Sequence, residues 1–206
     1  KGSTNSLVQN SLGDIETNAS DLNKSIATLF RRKIIHTALG LSVGLFNFYS
    51  GNAIAACVTT SGDMTCTGTV GSSSDTFGLE VNSSIGTLDN NGTILSHQSG
   101  IFLNPGRSIT TFNNIGTLSS DRLGLEVWGS IGTLNNSGSI TKTPGLSGVV
   151  DLGVYHSRGT IGLFNNTSTG TISGVRVGIQ NSEGGTITEL RNSGSITASS
   201  TAIQND

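Results

Sequence analysis

Five stretches of this chain repeat one phrase: IGTLDNNGTI from Ile85, ITTFNNIGTL from Ile109, IGTLNNSGSI from Ile131, IGLFNNTSTGTI from Ile161 and ITELRNSGSI from Ile187. The starting isoleucines are 24, 22, 30 and 26 residues apart. Periods of this size mark a solenoid, in which each repeat stacks on its neighbours and extra residues enter as loops on particular turns. Three residues after each starting Ile stand Leu88, Phe112, Leu134, Phe164 and Leu190, and each unit closes on Ile94, Leu118, Ile140, Ile172 or Ile196. These are expected inward positions, separated by Thr and Ser at the two-residue alternation of a strand. A second segment of each repeat places Leu79, Ile101, Leu125, Val154, Ile179 and Ile203 in one further aliphatic column.

The expected fold is therefore all-β: a right-handed, single-stranded parallel β-helix over residues 77–206, three short strands per turn, breaking off inside a repeat. No helix is expected after Cys57. Each turn adds about 4.8 Å, so six would make a rod of about 30 Å. Composition agrees, since 29 glycines and 12% charged residues, against about 25% charged in ordinary domains, suit many small turns around short aliphatic side chains. Glycine is expected at the corners, where positive φ is needed. The net charge of −2 and the lack of clustered Lys and Arg exclude a nucleic-acid footprint.

One polar column runs through the repeats. Five residues after each starting Ile lies Asn90, Asn114, Asn136, Asn166 or Asn192. Asn turns the chain and tolerates left-handed backbone, and identical amides at strand spacing can bond as a ladder. The expected role is to hold the coil.

The first 55 residues read as addressing information. Val8, Leu12, Ile15, Ala19, Leu22, Ile26 and Leu29 follow a heptad seam, which predicts a helical extension over residues 1–30. Arg31-Arg32-Lys33, the apolar run Ile34 to Phe48 and the small-residue site Ala53-Ile54-Ala55 predict a signal peptide over residues 31–55. Cys57 and Cys66 then flank the turn sequence Ser61-Gly62-Asp63. A disulfide-closed hairpin cap over residues 56–76 is expected, covering the first edge of the stack.

Chemistry is sparse. The histidines, His36, His97 and His156, form no metal-binding pattern, so no metal or cofactor is expected, and His156 reads as a surface residue. Glu80 and Glu126 occupy equivalent positions two turns apart, near 10 Å by strand spacing. Phe102 lies between them, and the outward column continues through Tyr155, Gln180 and Gln204. Glu80, Phe102, Glu126, Tyr155 and Gln180 are the candidate binding face.

The order of signal peptide, Cys57 and Cys66, and repeated SIGTLNNSGSI units resembles the passenger region of bacterial type V autotransporters over about residues 31–206. The resemblance implies export through the periplasm, passage of an outer membrane by a C-terminal β-barrel that this sequence lacks, and display at the cell surface or release. It implies adhesion or host interaction, with a protein or glycan of a host or neighbouring cell as partner. The protease motif of some members is not visible. The alternatives are a glycan-cleaving lyase or hydrolase on the same fold, using Glu80 and Glu126, and a passive spacer.

Overall fold

The computed structural model describes residues 56–142 and 151–206. The expected helical extension, the signal peptide and the segment 143–150 lie outside the described residues. The structure opens on a hairpin: β1 (Ala56–Thr60) and β2 (Asp63–Thr67) pair antiparallel with Cys57 opposite Cys66, and a disulfide joins the two. Ser61 (φ 53°) and Gly62 (φ 89°) make the two-residue connection, both left-handed as a type I′ turn requires. Reducing the disulfide is expected to lower stability by about 2 to 3 kcal/mol. The measurement is the denaturant midpoint with and without reductant; an unmoved midpoint would show that strand pairing alone holds the hairpin.

From β2 the chain winds six turns of three strands. The first turn adds β3 (Thr69–Gly71) and β4 (Phe77–Val81); the second is β5 (Ile85–Asn90), β6 (Thr93–Ser96) and β7 (Ser99–Leu103). The third is β8 (Ser108–Asn114), β9 (Thr117–Ser120) and β10 (Leu123–Val127), and the fourth β11 (Ser130–Asn136), β12 (Ser139–Lys142) and β13 (Leu152–His156). The fifth is β14 (Thr160–Asn166), β15 (Thr171–Ser173) and β16 (Val177–Asn181); the sixth is β17 (Thr186–Asn192), β18 (Ser195–Thr197) and β19 (Thr201–Asn205). Strands of successive turns pair in parallel and build three faces. The first runs β2-β5-β8-β11-β14-β17 with β1 on its outer edge, the second β3 to β18, the third β4 to β19. The hairpin and the coil share β2, so β1 alone is the added strand. All described secondary structure is β, in a parallel solenoid of six turns.

The repeated phrase sets this register. Ile85, Ile109, Ile131, Ile161 and Ile187 are successive partners, as are Met64, Leu88, Phe112, Leu134, Phe164 and Leu190. Inward strand positions buried on each side by a like residue form one continuous core, with Leu88, Phe112, Leu134 and Phe164 fully enclosed. Each such side chain contributes about 1.5 to 3 kcal/mol of transfer free energy. The first-face strands depart from plain alternation: in β5 the inward residues are Ile85, Leu88 and Asn90, with Gly86 outside the ladder. The two apolar positions, Ile85 and Leu88, accordingly stand three apart and not two. Lys142 and Asp151, either side of segment 143–150, are buried together at 3.6 Å, which ties the ends of the longest spacing.

The corner glycines correct the expectation of positive φ. Left-handed glycines occur at Gly62, Gly68, Gly71, Gly106, Gly159 and Gly184, whereas the repeated column Gly92, Gly116 and Gly138 is not left-handed. Its reason is contact. A Cβ on Gly116 would lie 1.9 Å from the carbonyl oxygen of Gly92, and one on Gly138 would lie 2.0 Å from that of Gly116.

The Asn column is likewise not left-handed, since the non-glycine residues with positive φ are Ser61 and Glu183. It is an amide ladder. Nδ2 of Asn90, Asn114, Asn136 and Asn166 donates to Oδ1 of the Asn on the following turn at 2.7 to 2.8 Å. The same nitrogens donate to the carbonyls of Thr117, Ser139, Thr171 and Ser195. Buried amides are thereby satisfied on both ends, which removes the penalty of enclosing them. A second, half-buried ladder outside it runs the other way, from Asn165 to Asn135 to Asn113 and onto the carboxylate of Asp89.

Candidate binding face

On the third face Glu80, Phe102, Glu126, Tyr155, Gln180 and Gln204 are successive register partners. Their side chains point outward because Leu79 and Val81, and their counterparts on each turn, point in. Acid and ring therefore alternate over the first four turns. Asn104 donates to Glu80 Oε1 at 3.0 Å and to Asn82 Oδ1 at 2.6 Å. Glu126 accepts from Trp128 Nε1 at 2.9 Å and from the Ser99 hydroxyl. Neither Glu80 nor Glu126 has a cation paired to it among the described residues.

The structure adds residues that the column did not contain. Phe77 stacks on Phe102 with centroids 4.7 Å apart, and Trp128 meets Phe102 edge-on at 6.4 Å. Arg158, exposed, lies over the Trp128 ring at 5.3 Å. Phe77, three residues before Glu80, and Arg158, three after Tyr155, are out of phase with the outward positions, while Trp128 continues the outward alternation two residues after Glu126 but lies just past the end of β10, so alignment by register partners contained none of the three. Glu183, left-handed at φ 55°, accepts from Ser157 Oγ at 3.0 Å and Tyr155 Oη at 3.5 Å, which fixes the far end of the strip. Gln180 and Gln204 instead turn to Asp206. Among the described residues, Phe112 and Phe164 are buried in the core, and the remaining aromatic rings, Phe77, Phe102, Trp128 and Tyr155, all lie on this face.

His156 is not a surface residue. It occupies the inward column Val81, Leu103, Val127, His156, Asn181, Asn205 and is fully buried, a placement that column alignment with Val127 would have shown. Asn181 Nδ2 donates to Asn205 Oδ1 and to the Gly185 carbonyl, so its Oδ1 accepts from His156 Nδ1 at 2.6 Å. The ring is thereby assigned as the Nδ1–H tautomer, with Nε2 unpartnered inside the coil. Burial pushes its pKa below 6.5, outweighing the bond to Asn181, which raises it. A depressed folded pKa means stability that is present above the unfolded value and lost as pH falls through the folded one. Unfolding free energy is expected to fall as pH drops below about 6.5, with a slope of up to about 1.4 kcal/mol per pH unit. His156→Asn, which extends the Asn181 ladder by one amide, should flatten that slope; an identical slope in the variant would refute the assignment.

These features define a class: a parallel β-solenoid that opens on a disulfide-closed hairpin, with buried apolar columns and amide ladders inside and half-buried aromatic rings gathered on one face. Compared with known protein families, curated proteins and solved structures, the chain matches none.

Proposed function

We propose that the chain is the passenger-type β-solenoid of an exported, surface-displayed or released protein, of the kind found in type V autotransporters, and that it acts in adhesion or host interaction. The observation that carries this reading is the segregation, among the described residues, of every Phe, Tyr and Trp ring outside the core onto the third face. A spacer has no need of that placement, because rings exposed to water give nothing to a coil already held by its interior and its ladders. Half-buried rings and a cation gathered on one strip are the residue types that dominate recognition surfaces. Cleavage of a glycan would need Glu80 and Glu126 to flank a reacting bond, but the register puts Phe102 between them. Binding is favoured over catalysis for that reason. The test is retention of the purified protein on intact epithelial cells, measured by flow cytometry. Saturable retention that soluble protein competes away is expected; retention no higher than that of an unrelated β-solenoid would overturn the reading.

A further inference from the structure

We infer that the third face binds a neutral, extended oligosaccharide laid along the axis of the solenoid, an inference that rests on the adhesion reading and names its ligand class. Successive turns step by about 4.8 Å, close to the length of one sugar unit in an extended chain. Such a ligand meets one equivalent position of the column per unit, and that column offers Glu80, Phe102, Glu126 and Tyr155 in order. A sugar ring has flat C–H faces and a rim of hydroxyls. Tyr155 and the side of Phe102 that Phe77 does not cover suit the faces, and the carboxylates of Glu80 and Glu126 suit the hydroxyls, since an ionised carboxylate accepts only and has about four acceptor sites. Protein donors occupy some of these sites and aim the groups, while others stay open.

Two further observations narrow the ligand. The rings are held in place before anything binds: Phe102 stacks on Phe77 and meets Trp128 in a T-shaped contact, and Arg158 lies over Trp128. Preorganised side chains lose little entropy on binding, which matters for a ligand that offers weak contacts one unit at a time. The strip carries the carboxylates of Glu80, Glu126 and Glu183 against the single exposed guanidinium of Arg158, so a sulfated or carboxylated glycan would meet like charge in excess along it. The selected ligand is neutral.

Trp128 is the single tryptophan of the chain and sits in the strip, so its emission reports occupancy. The experiment titrates the full chain with cellotetraose, chitotetraose, their monosaccharides and a heparin-derived tetrasaccharide, reading Trp128 emission and calorimetric heat. A neutral tetrasaccharide is expected to give a saturable shift, at least about tenfold tighter than its monosaccharide, with no response to the sulfated ligand. Phe102→Ala should weaken binding about tenfold, the scale of one lost ring contact, and Glu126→Gln, which preserves shape, should weaken it as well. Thr133→Ala on the first face should change nothing. Neutral tetrasaccharides that give neither shift nor heat would overturn the inference, as would binding unaffected by Phe102→Ala and Glu126→Gln, binding as tight for the monosaccharide, or preference for the sulfated ligand. If those failures accompany cell retention that Phe102→Ala still abolishes, the occupant is a protein and adhesion stands. Oligosaccharide binding without cell retention would have the opposite meaning.

Discussion

Asn136→Asp is expected to destabilise the protein by about 3 to 5 kcal/mol at neutral pH, the cost of an uncompensated buried charge, and by much less near pH 4. Asn136 accepts from Asn114 and donates to Asn166 Oδ1 and the Thr171 carbonyl, all in the interior. A carboxylate keeps the first contact and turns the other two into oxygen facing oxygen. The variant carboxyl is therefore pushed above the ordinary Asp value of about 3.9. A raised folded pKa means that the protonated form keeps its stability below the unfolded value and loses it as pH rises through the folded one. The deficit relative to the natural chain, taken at each pH, should shrink on acidification because a protonated carboxyl can donate to Asn166. A deficit independent of pH would contradict the ladder. Asn135→Asp, one residue away on the half-buried outer column, should cost far less.

Gly116→Ala is the second large effect, expected at about 3 kcal/mol or more. A Cβ at Gly116 lies 1.9 Å from the Gly92 carbonyl oxygen, and Gly116 in turn sits 2.0 Å from a Cβ built on Gly138. The obstructing atom is backbone of the neighbouring turn, so relief requires moving a whole corner of the stack, beyond the 1 to 3 kcal/mol of ordinary overpacking. Gly184→Ala is the matched comparison. Its φ is +84° with nothing within 4 Å of the added Cβ, so it should cost only the about 1 to 2 kcal/mol of a left-handed alanine. Equal losses of thermal stability for the two variants would mean that backbone conformation, and not stacking, governs the corners.

The contrast between these glycines explains how much of the molecule was legible beforehand. A solenoid writes its core into the sequence because equivalent residues recur at each turn, so Leu88, Phe112 and Leu134 could be aligned and assigned to the interior without coordinates. The same alignment places Asn90 to Asn192 in one column. It does not distinguish a residue chosen for its own conformation from one chosen for the turn above, and that is why the corner glycines and the Asn column both suggested left-handed backbone. His156 followed from the column containing Val127, but histidine as a residue type pulled the expectation outward. The candidate binding face was half legible. Glu80, Phe102, Glu126 and Tyr155 share a register and Trp128 continues the outward alternation two residues past Glu126, whereas Phe77 and Arg158 join them only through corner geometry that strand alternation does not encode. The outer Asn ladder onto Asp89 was missed for a different reason: Asp and Arg at its two ends hid the column.

The proposal that one face of a self-supporting coil carries recognition is tested most directly by comparing faces within the same protein. Two variants are measured side by side for retention on intact epithelial cells: Phe102→Ala with Tyr155→Ala on the third face, and Thr111→Ala with Thr133→Ala on the first. All four side chains are half-exposed and outward, so both proteins should keep the fold, checked by thermal unfolding. The third-face pair is expected to lose most of its retention and the first-face pair to keep it. Equal retention by the two variants at preserved stability would contradict the assignment of function to this face.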